Sequence, residues 1–231
     1  MMDPINLELR LVTPAYTGGA DTEVADGLRP PTLKALLRFW WRAMHPELKP
    51  QELFAREEAL FGSTSAGQRL SIIPVGPINT MSECPARYTT DVKPPLFYLA
   101  YGTQGDRQSN PRPRAKADTT YRYRLILSPA MTVEDRSEIF KALWLLGAIG
   151  GCGTRSRRGF GSLEIVSASL DLPHRPAADT QAALVTWLKS GVERICTPVF
   201  DGLPEHTAFS KRARLVCGPE RGTWEDALIA A

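Results

Sequence analysis

The sequence has few of the residues from which catalytic and metal-binding motifs are built. It contains 231 residues but only three histidines, which show no metal-ligand spacing. Its cysteines form no Cys-x-x-Cys pair, which argues against a zinc site or a disulfide framework and fits a reducing compartment; they are Cys84, Cys152, Cys196 and Cys217. The sequence has no H-x-x-x-H motif, no G-x-S-x-G motif and no helix with paired carboxylates. We therefore expect no resident metal or cofactor and no common hydrolase centre.

Long apolar runs and a large excess of charge are also missing. No apolar run reaches 18 residues and the N-terminus does not resemble a signal peptide, so we expect a cytoplasmic protein without a membrane span. A hydrophobic content of 43% with 23% charged residues is typical of a folded chain. Because the formal net charge is only +3, any nucleic-acid site must come from local clustering of basic residues.

The most unusual segment is the glycine-rich loop, residues 147–161, which reads G-A-I-G-G-C-G-T-R-S-R-R-G-F-G. It holds six glycines, three arginines and no acid. Glycines permit positive φ and close approach, successive N–H groups can bind an anion, and Arg155, Arg157 and Arg158 add positive charge. The pattern favours contacts to RNA phosphates by these arginines and by the glycines Gly151, Gly153, Gly159 and Gly161. The alternative is a structural turn that caps a helix and happens to be basic.

This loop does not match the known nucleotide-binding patterns. No Lys-Ser/Thr pair follows a G-x-x-x-x-G frame, and the glycines do not fall as G-x-G-x-x-G. The loop follows an apolar run with helical spacing and precedes a strand-like run, which is the reverse of the P-loop order. Nucleotide hydrolysis is therefore a weak interpretation.

A second basic feature lies on the first predicted helix, which begins at Pro30 and Pro31 and ends near residue 45. Three cations spaced by four residues form one stripe without an acid on the same helix: Lys34, Arg38 and Arg42. We expect this stripe, together with Arg29, to contact RNA, although a solvated helix face is the alternative. Trp41 lies at the border of the apolar face, where it would either stack on a base or cap the core.

The periodicity of the chain predicts an α+β fold. Strands are expected over residues 5–12, 70–75, 96–100, 121–127, 162–168 and 207–217, and helices over 30–45, 51–61, 133–149 and 180–195. Thr132 and Asp135 predict a capping box at the start of the third helix. In the strand at 121–127, tyrosines alternate with arginines, and the tyrosines would either stack on RNA or face the core. The order of elements up to residue 168 is that of a ferredoxin-like, split βαβ (RRM-like) unit.

Two distant motifs also resemble a known family. One is the glycine-rich loop after a helix, and the other lies near the N-terminus in L-E-L-R-L-V-T-P-A-Y-T-G-G-A (7–20) and L-R-P-P-T-L-K-A-L-L-R-F-W-W-R-A (28–43). Both resemble the RAMP superfamily of CRISPR effector proteins, closest to the first RAMP subunit of the type III-B complex. The resemblance implies a ferredoxin-like RAMP domain over residues 1–172 and a partial C-terminal extension over 173–231. It also implies a non-catalytic subunit that binds guide RNA and the adjoining target RNA beside other RAMP subunits.

Two other functions stay open at this stage. The acidic first loop contains Asp21, Glu23 and Asp26, and carboxylates there, with Asp21 and Asp26 as weak catalytic candidates, would hold Mg²⁺ in a metal-dependent ribonuclease. Alternatively, the basic loop packs against a neighbouring protein, and the chain is an assembly subunit without direct RNA contact.

Overall fold

The computed structural model describes residues 4–19, 21, 23–63, 67–78, 81–85, 94–105, 110–169, 173, 175–176, 180–195, 200–209 and 213–230. Its strands are β1 (Ile5–Leu11), β2 (Gly62–Ser63), β3 (Gly67–Gln68), β4 (Leu70–Pro74), β5 (Ser82–Glu83), β6 (Arg114–Ala115), β7 (Thr120–Leu127) and β8 (Leu163–Ala168). Its α-helices are α1 (Pro30–Ala43), α2 (Pro50–Phe61), α3 (Pro94–Leu99), α4 (Val133–Ile149), α5 (Gln181–Ile195) and α6 (Trp224–Ala230).

A four-stranded antiparallel sheet confirms the predicted ferredoxin-like fold. Its strand order is β4-β7-β1-β8, so the first and third long strands lie at the centre, as a split βαβ arrangement requires. Side chains alternate along β1, and the inward ones (Leu7, Leu9 and Leu11) are at most 2% exposed. Helices α1 and α4 contact each other, and their apolar residues share the core cluster with these leucines.

Local sequence signals set the start of α4. The side-chain oxygen of Thr132 accepts a hydrogen bond from the backbone N–H of Asp135, and the Asp135 carboxylate accepts one from the N–H of Thr132, both at 3.1 Å. The predicted capping box is therefore confirmed. This helix brings the chain directly to the glycine-rich loop, whose Gly150 is the C-cap residue.

Two predicted strands are wrong. Residues 96–100 lie in and just after α3, which begins at Pro94, because Leu96 and Ala100 are both fully buried and four residues apart, the spacing of one helical face. Residues 207–217 contain no strand in the parts that the structure describes, 207–209 and 213–217. A short apolar run does not distinguish a strand from a helix by periodicity alone, and at residues 96–100 the burial of one helical face decided the outcome.

The C-terminal residues pack onto the sheet domain through aromatic side chains. The rings of Trp144 on α4 and Trp187 on α5 lie 5.2 Å apart, and both indole N–H groups donate to the carbonyl of Pro173 at 3.0 Å. Helix α6, which the sequence reasoning did not predict, contacts Phe160 of the glycine-rich loop through Trp224. Within the described residues, no helix is both long enough and apolar enough to cross a membrane.

Candidate RNA interface

The glycine-rich loop is held rigidly against the first loop of the chain. The N–H of Cys152 donates to the carbonyl of Gly161 at 2.8 Å, which closes the loop on itself. The N–H of Gly161 donates to Pro14, also at 2.8 Å, and the N–H of Thr154 donates to Tyr16 at 3.0 Å. These three N–H groups therefore bind the chain's own carbonyls, and the loop is fixed in place before any ligand arrives.

The glycines of the loop are required by close packing within the chain. Gly153 has a φ of +87°, and a Cβ there would lie 2.6 Å from the carbonyl oxygen of Tyr16. Gly161 has a φ of +72°, and a Cβ would overlap the carbonyl oxygen of Cys152. Gly151 faces Gly161, and Gly159, with a φ of +82°, faces Leu228 of α6. The packed-turn alternative thus accounts for these glycines, and their contact with phosphates stays a prediction.

The three arginines of the loop have different environments. A guanidinium N–H of Arg155 donates to the carbonyl of Tyr101. Arg158 donates to the carbonyl of Tyr98 at 2.9 Å, and its guanidinium carbon lies 5.1 Å from the centre of the Tyr98 ring. Arg157 is exposed, and in the described part of the chain it forms no hydrogen bond or ion pair. Two arginines therefore fix the loop to α3 and to the turn after it, and Arg157 is available to a partner.

The cationic stripe on α1 has an acidic partner that its own helix does not supply. The carboxylate of Glu57 on α2 accepts hydrogen bonds from Arg38 at 3.0 Å and from Arg42 at 2.5 Å. Lys34 donates to the carbonyl of Leu70 at 3.1 Å, and burial together with the neighbouring Arg38 lowers the pKa of its ammonium. The stripe therefore joins α1 to α2 and to β4. Because its cations already have partners within the fold, their expected contact with RNA has less support than that of the glycine-rich loop.

Trp41 does not face solvent. It is 2% exposed and its ring packs edge-on against Phe61 at 6.3 Å, so the expectation that it stacks on a base is wrong, because its neighbours cover it. The tyrosines of β7 are also core residues: Tyr121 is 3% exposed and Tyr123 is 1% exposed. Arg29 is half-exposed and lies 3.5 Å from the carboxylate of Asp26.

The described carboxylates of the acidic first loop are not brought together as a metal-holding group. Asp21 is exposed and accepts a hydrogen bond from the N–H of Glu23 at 2.8 Å, whereas the carboxylate of Asp26 is turned toward Arg29. Across the described ranges, no three histidine, cysteine or acidic side chains come together as a metal-holding group. The ribonuclease alternative therefore has no geometric support from these carboxylates.

Sequence reasoning missed two aromatic residues beside the loop arginines. Tyr98 is 68% exposed and Tyr101 is 64% exposed, and the loop arginines bind the backbone carbonyls of both. Leu96 and Ala100 are four residues apart, the spacing of one helical face. This spacing was the sequence signal that would have placed Tyr98 and Tyr101 together on the opposite side.

Comparisons with known proteins agree with this fold. The profile of the RAMP superfamily matches residues 8–164, which is more than half of the chain. The CRISPR system Cmr subunit Cmr1-1 of Pyrococcus furiosus is 24% identical over 94% of this chain and 67% of its own length.

Solved structures share the fold. The crystal structure of Cmr1 from Pyrococcus furiosus in its apo form has a TM-score of 0.60 and 24% identity, over 84% of this chain and 60% of that chain. A chain of the type III-B Cmr-beta complex bound to cognate target RNA has a TM-score of 0.61 and 14% identity, over 87% of this chain and 64% of that chain. The present chain thus spans about two thirds or less of the length of these relatives. From its sheet order, its two motifs and the match over residues 8–164, the chain belongs to the RAMP superfamily.

Proposed function

We propose that this protein is a non-catalytic, RNA-binding subunit of a type III-B CRISPR effector complex, where it holds guide RNA and the adjoining target RNA. The observation that carries the proposal is the glycine-rich loop, which presents the exposed Arg157 from a rigid frame with Arg155 and Arg158 beside it. The loop has no acidic residue to neutralise this charge. Similarity to a Cmr subunit and to a chain of a target-RNA-bound Cmr complex supports the same role.

The pattern of contacts suits backbone recognition without sequence specificity. A guanidinium on a fixed loop binds phosphate through paired donors, and it carries no information about base identity. Because Arg155 and Arg158 each use only part of their donor set on one backbone carbonyl, they add positive potential around Arg157. We expect binding that weakens steeply as salt is raised, since each phosphate contact releases counterions.

The test is binding of the purified chain to a labelled single-stranded RNA, titrated between about 50 and 200 mM salt, because affinity that comes from phosphate contacts falls over this range. Arg157→Ala is the informative variant because Arg157 is exposed and its side chain forms no hydrogen bond or ion pair within the described residues. Arg56→Ala is the matched control, since Arg56 is an exposed arginine on α2 and not part of the glycine-rich loop. We expect Arg157→Ala to weaken binding and to flatten the slope of log affinity against log salt by about 0.7, the value for one phosphate of a single strand.

The same titration separates the alternatives. An Arg157→Ala variant that binds RNA like the Arg56→Ala control would contradict the proposal. Repeating the titration with Mg²⁺ tests the ribonuclease, because cleavage that EDTA abolishes and Asp26→Ala removes would replace a holding role with catalysis. A chain that binds no RNA, and binds an acidic partner subunit instead, would favour the assembly role.

A further inference from the structure

Helix α3 and the turn that follows it present two tyrosines to solvent, on the side that borders the arginines of the glycine-rich loop. The helix is anchored from its other side by Leu96 and Ala100, which are both fully buried. Tyr98 and Tyr101 are three residues apart, and the N–H of Tyr101 donates to the carbonyl of Tyr98 at 3.2 Å, so one helical turn joins them. This spacing places the two residues on one side of the segment, and the ring of Tyr101 packs edge-on against Phe97, with the ring centres 6.3 Å apart.

The loop arginines fix both tyrosines through their backbone carbonyls. Arg158 binds the carbonyl of Tyr98 and covers one face of its ring at 5.1 Å, while 68% exposure leaves much of the remaining ring open. Arg155 binds the carbonyl of Tyr101, and Gly102, with a φ of +82°, makes room because a Cβ there would lie 2.8 Å from an Arg155 guanidinium nitrogen. The exposed rings are therefore attached to the same rigid frame as the cations.

This combination of groups matches one class of ligand. Open aromatic faces stack on nucleobases, and adjacent guanidinium groups bind the phosphates that join them, which is how single-stranded nucleic acid is bound without sequence preference. A base inside an A-form duplex is already stacked on its neighbours and offers no free face to a protein side chain. Arg112 is exposed as well, and its N–H donates to Thr103 at 2.9 Å, which places a further cation next to the turn after α3.

We propose that Tyr98 and Tyr101 form a stacking platform for unpaired bases of RNA whose backbone is bound at the loop arginines. This inference rests on the proposed RNA-binding function and narrows its ligand from RNA in general to a single-stranded segment. The arginines give affinity that depends on salt, and the tyrosines add affinity that does not, because stacking releases no counterions.

The experiment uses the full chain, a fluorescein-labelled single-stranded RNA, the same RNA carrying 2-aminopurine, and a fully paired RNA duplex. The variants are Tyr98→Ala combined with Tyr101→Ala, and the conservative pair Tyr98→Phe with Tyr101→Phe, which keeps the aromatic faces. Phe54→Ala is the matched control, since Phe54 is 64% exposed on α2. Thermal unfolding of each variant shows whether the fold is retained.

We expect the double alanine variant to bind the single strand about tenfold or more weakly, with an unchanged salt slope and without the fluorescence quenching of 2-aminopurine that stacking causes. The double phenylalanine variant and Phe54→Ala should bind as the wild type does, and binding of the duplex should not change between variants.

Each other result overturns a definite part of the proposal. If Arg157→Ala weakens binding while the double alanine variant binds the single strand normally, the stacking platform is refuted and the proposed function stands. Equal losses on the single strand and the duplex would also refute stacking on unpaired bases. If the wild-type chain binds no RNA, or Arg157→Ala has no effect, the proposed function itself fails.

Discussion

Replacing Glu57 by glutamine tests whether the stripe on α1 serves the fold. Its side chain is 9% exposed and accepts one hydrogen bond from Arg38 and one from Arg42, at 3.0 and 2.5 Å. A hydrogen bond to a charged group contributes about 1.5–3 kcal/mol, and glutamine keeps the shape but only one weaker acceptor. Because the two arginines are 29% and 36% exposed, water can replace part of what they lose. We therefore expect Glu57→Gln to lower the free energy of unfolding by about 2 kcal/mol.

Urea unfolding at 25 °C measures this difference in free energy directly. In thermal unfolding, the same difference should lower the melting temperature by about 4–8 °C for a chain of this size. Glu58→Gln is the matched control because Glu58 is the next residue on α2 and its side chain forms no hydrogen bond or ion pair among the described residues. Most of the difference should persist at 0.5 M salt, since salt screens partly buried pairs much less than exposed ones. If Glu57→Gln unfolds at the same urea concentration as Glu58→Gln, the idea that this carboxylate joins α1 to α2 is wrong.

Two further predictions concern the acid stability of the fold and the packing of the loop. Although burial alone would raise the pKa of Glu138, hydrogen bonds from His45 and Lys141 lower it to about 2 from the ordinary 4.5. The stabilisation from this carboxylate is therefore complete above pH 4.5 and is lost as the pH falls toward 2. Glu138→Gln should lower the free energy of unfolding by about 2 kcal/mol at pH 7 after solvent screening, and the difference from wild type in urea unfolding should disappear between about pH 5 and 2. Gly161→Ala should lower the free energy of unfolding by more than about 2 kcal/mol, because the added Cβ would overlap a carbonyl oxygen. Gly67 has a similar φ of +74° and open space around it, so Gly67→Ala should lower it by only about 1 kcal/mol. Thermal unfolding of both variants measures the difference, and equal losses would contradict the packing explanation.

The sequence by itself determined the regular part of this fold. Alternation along residues 5–12 and 121–127, the two prolines at 30 and 31, and the capping box at Thr132 are local signals, and each produced the expected element. The order of these elements is sufficient for the ferredoxin-like arrangement, because connection rules leave few ways to build one sheet from it. Both RAMP motifs are continuous in sequence, so they could be identified without the structure.

Tertiary structure decided which of the basic and aromatic residues are accessible. Helical spacing aligned the cations of α1, but the sequence does not show that Glu57 crosses from α2 to bind two of them. Composition placed three arginines in one loop, yet only the packing of α3 separates Arg157 from the two that bind backbone carbonyls. Trp41 is buried and Tyr98 is exposed for the same physical reason: the exposure of a ring depends on which distant segments cover it, and neither periodicity nor composition contains those distances.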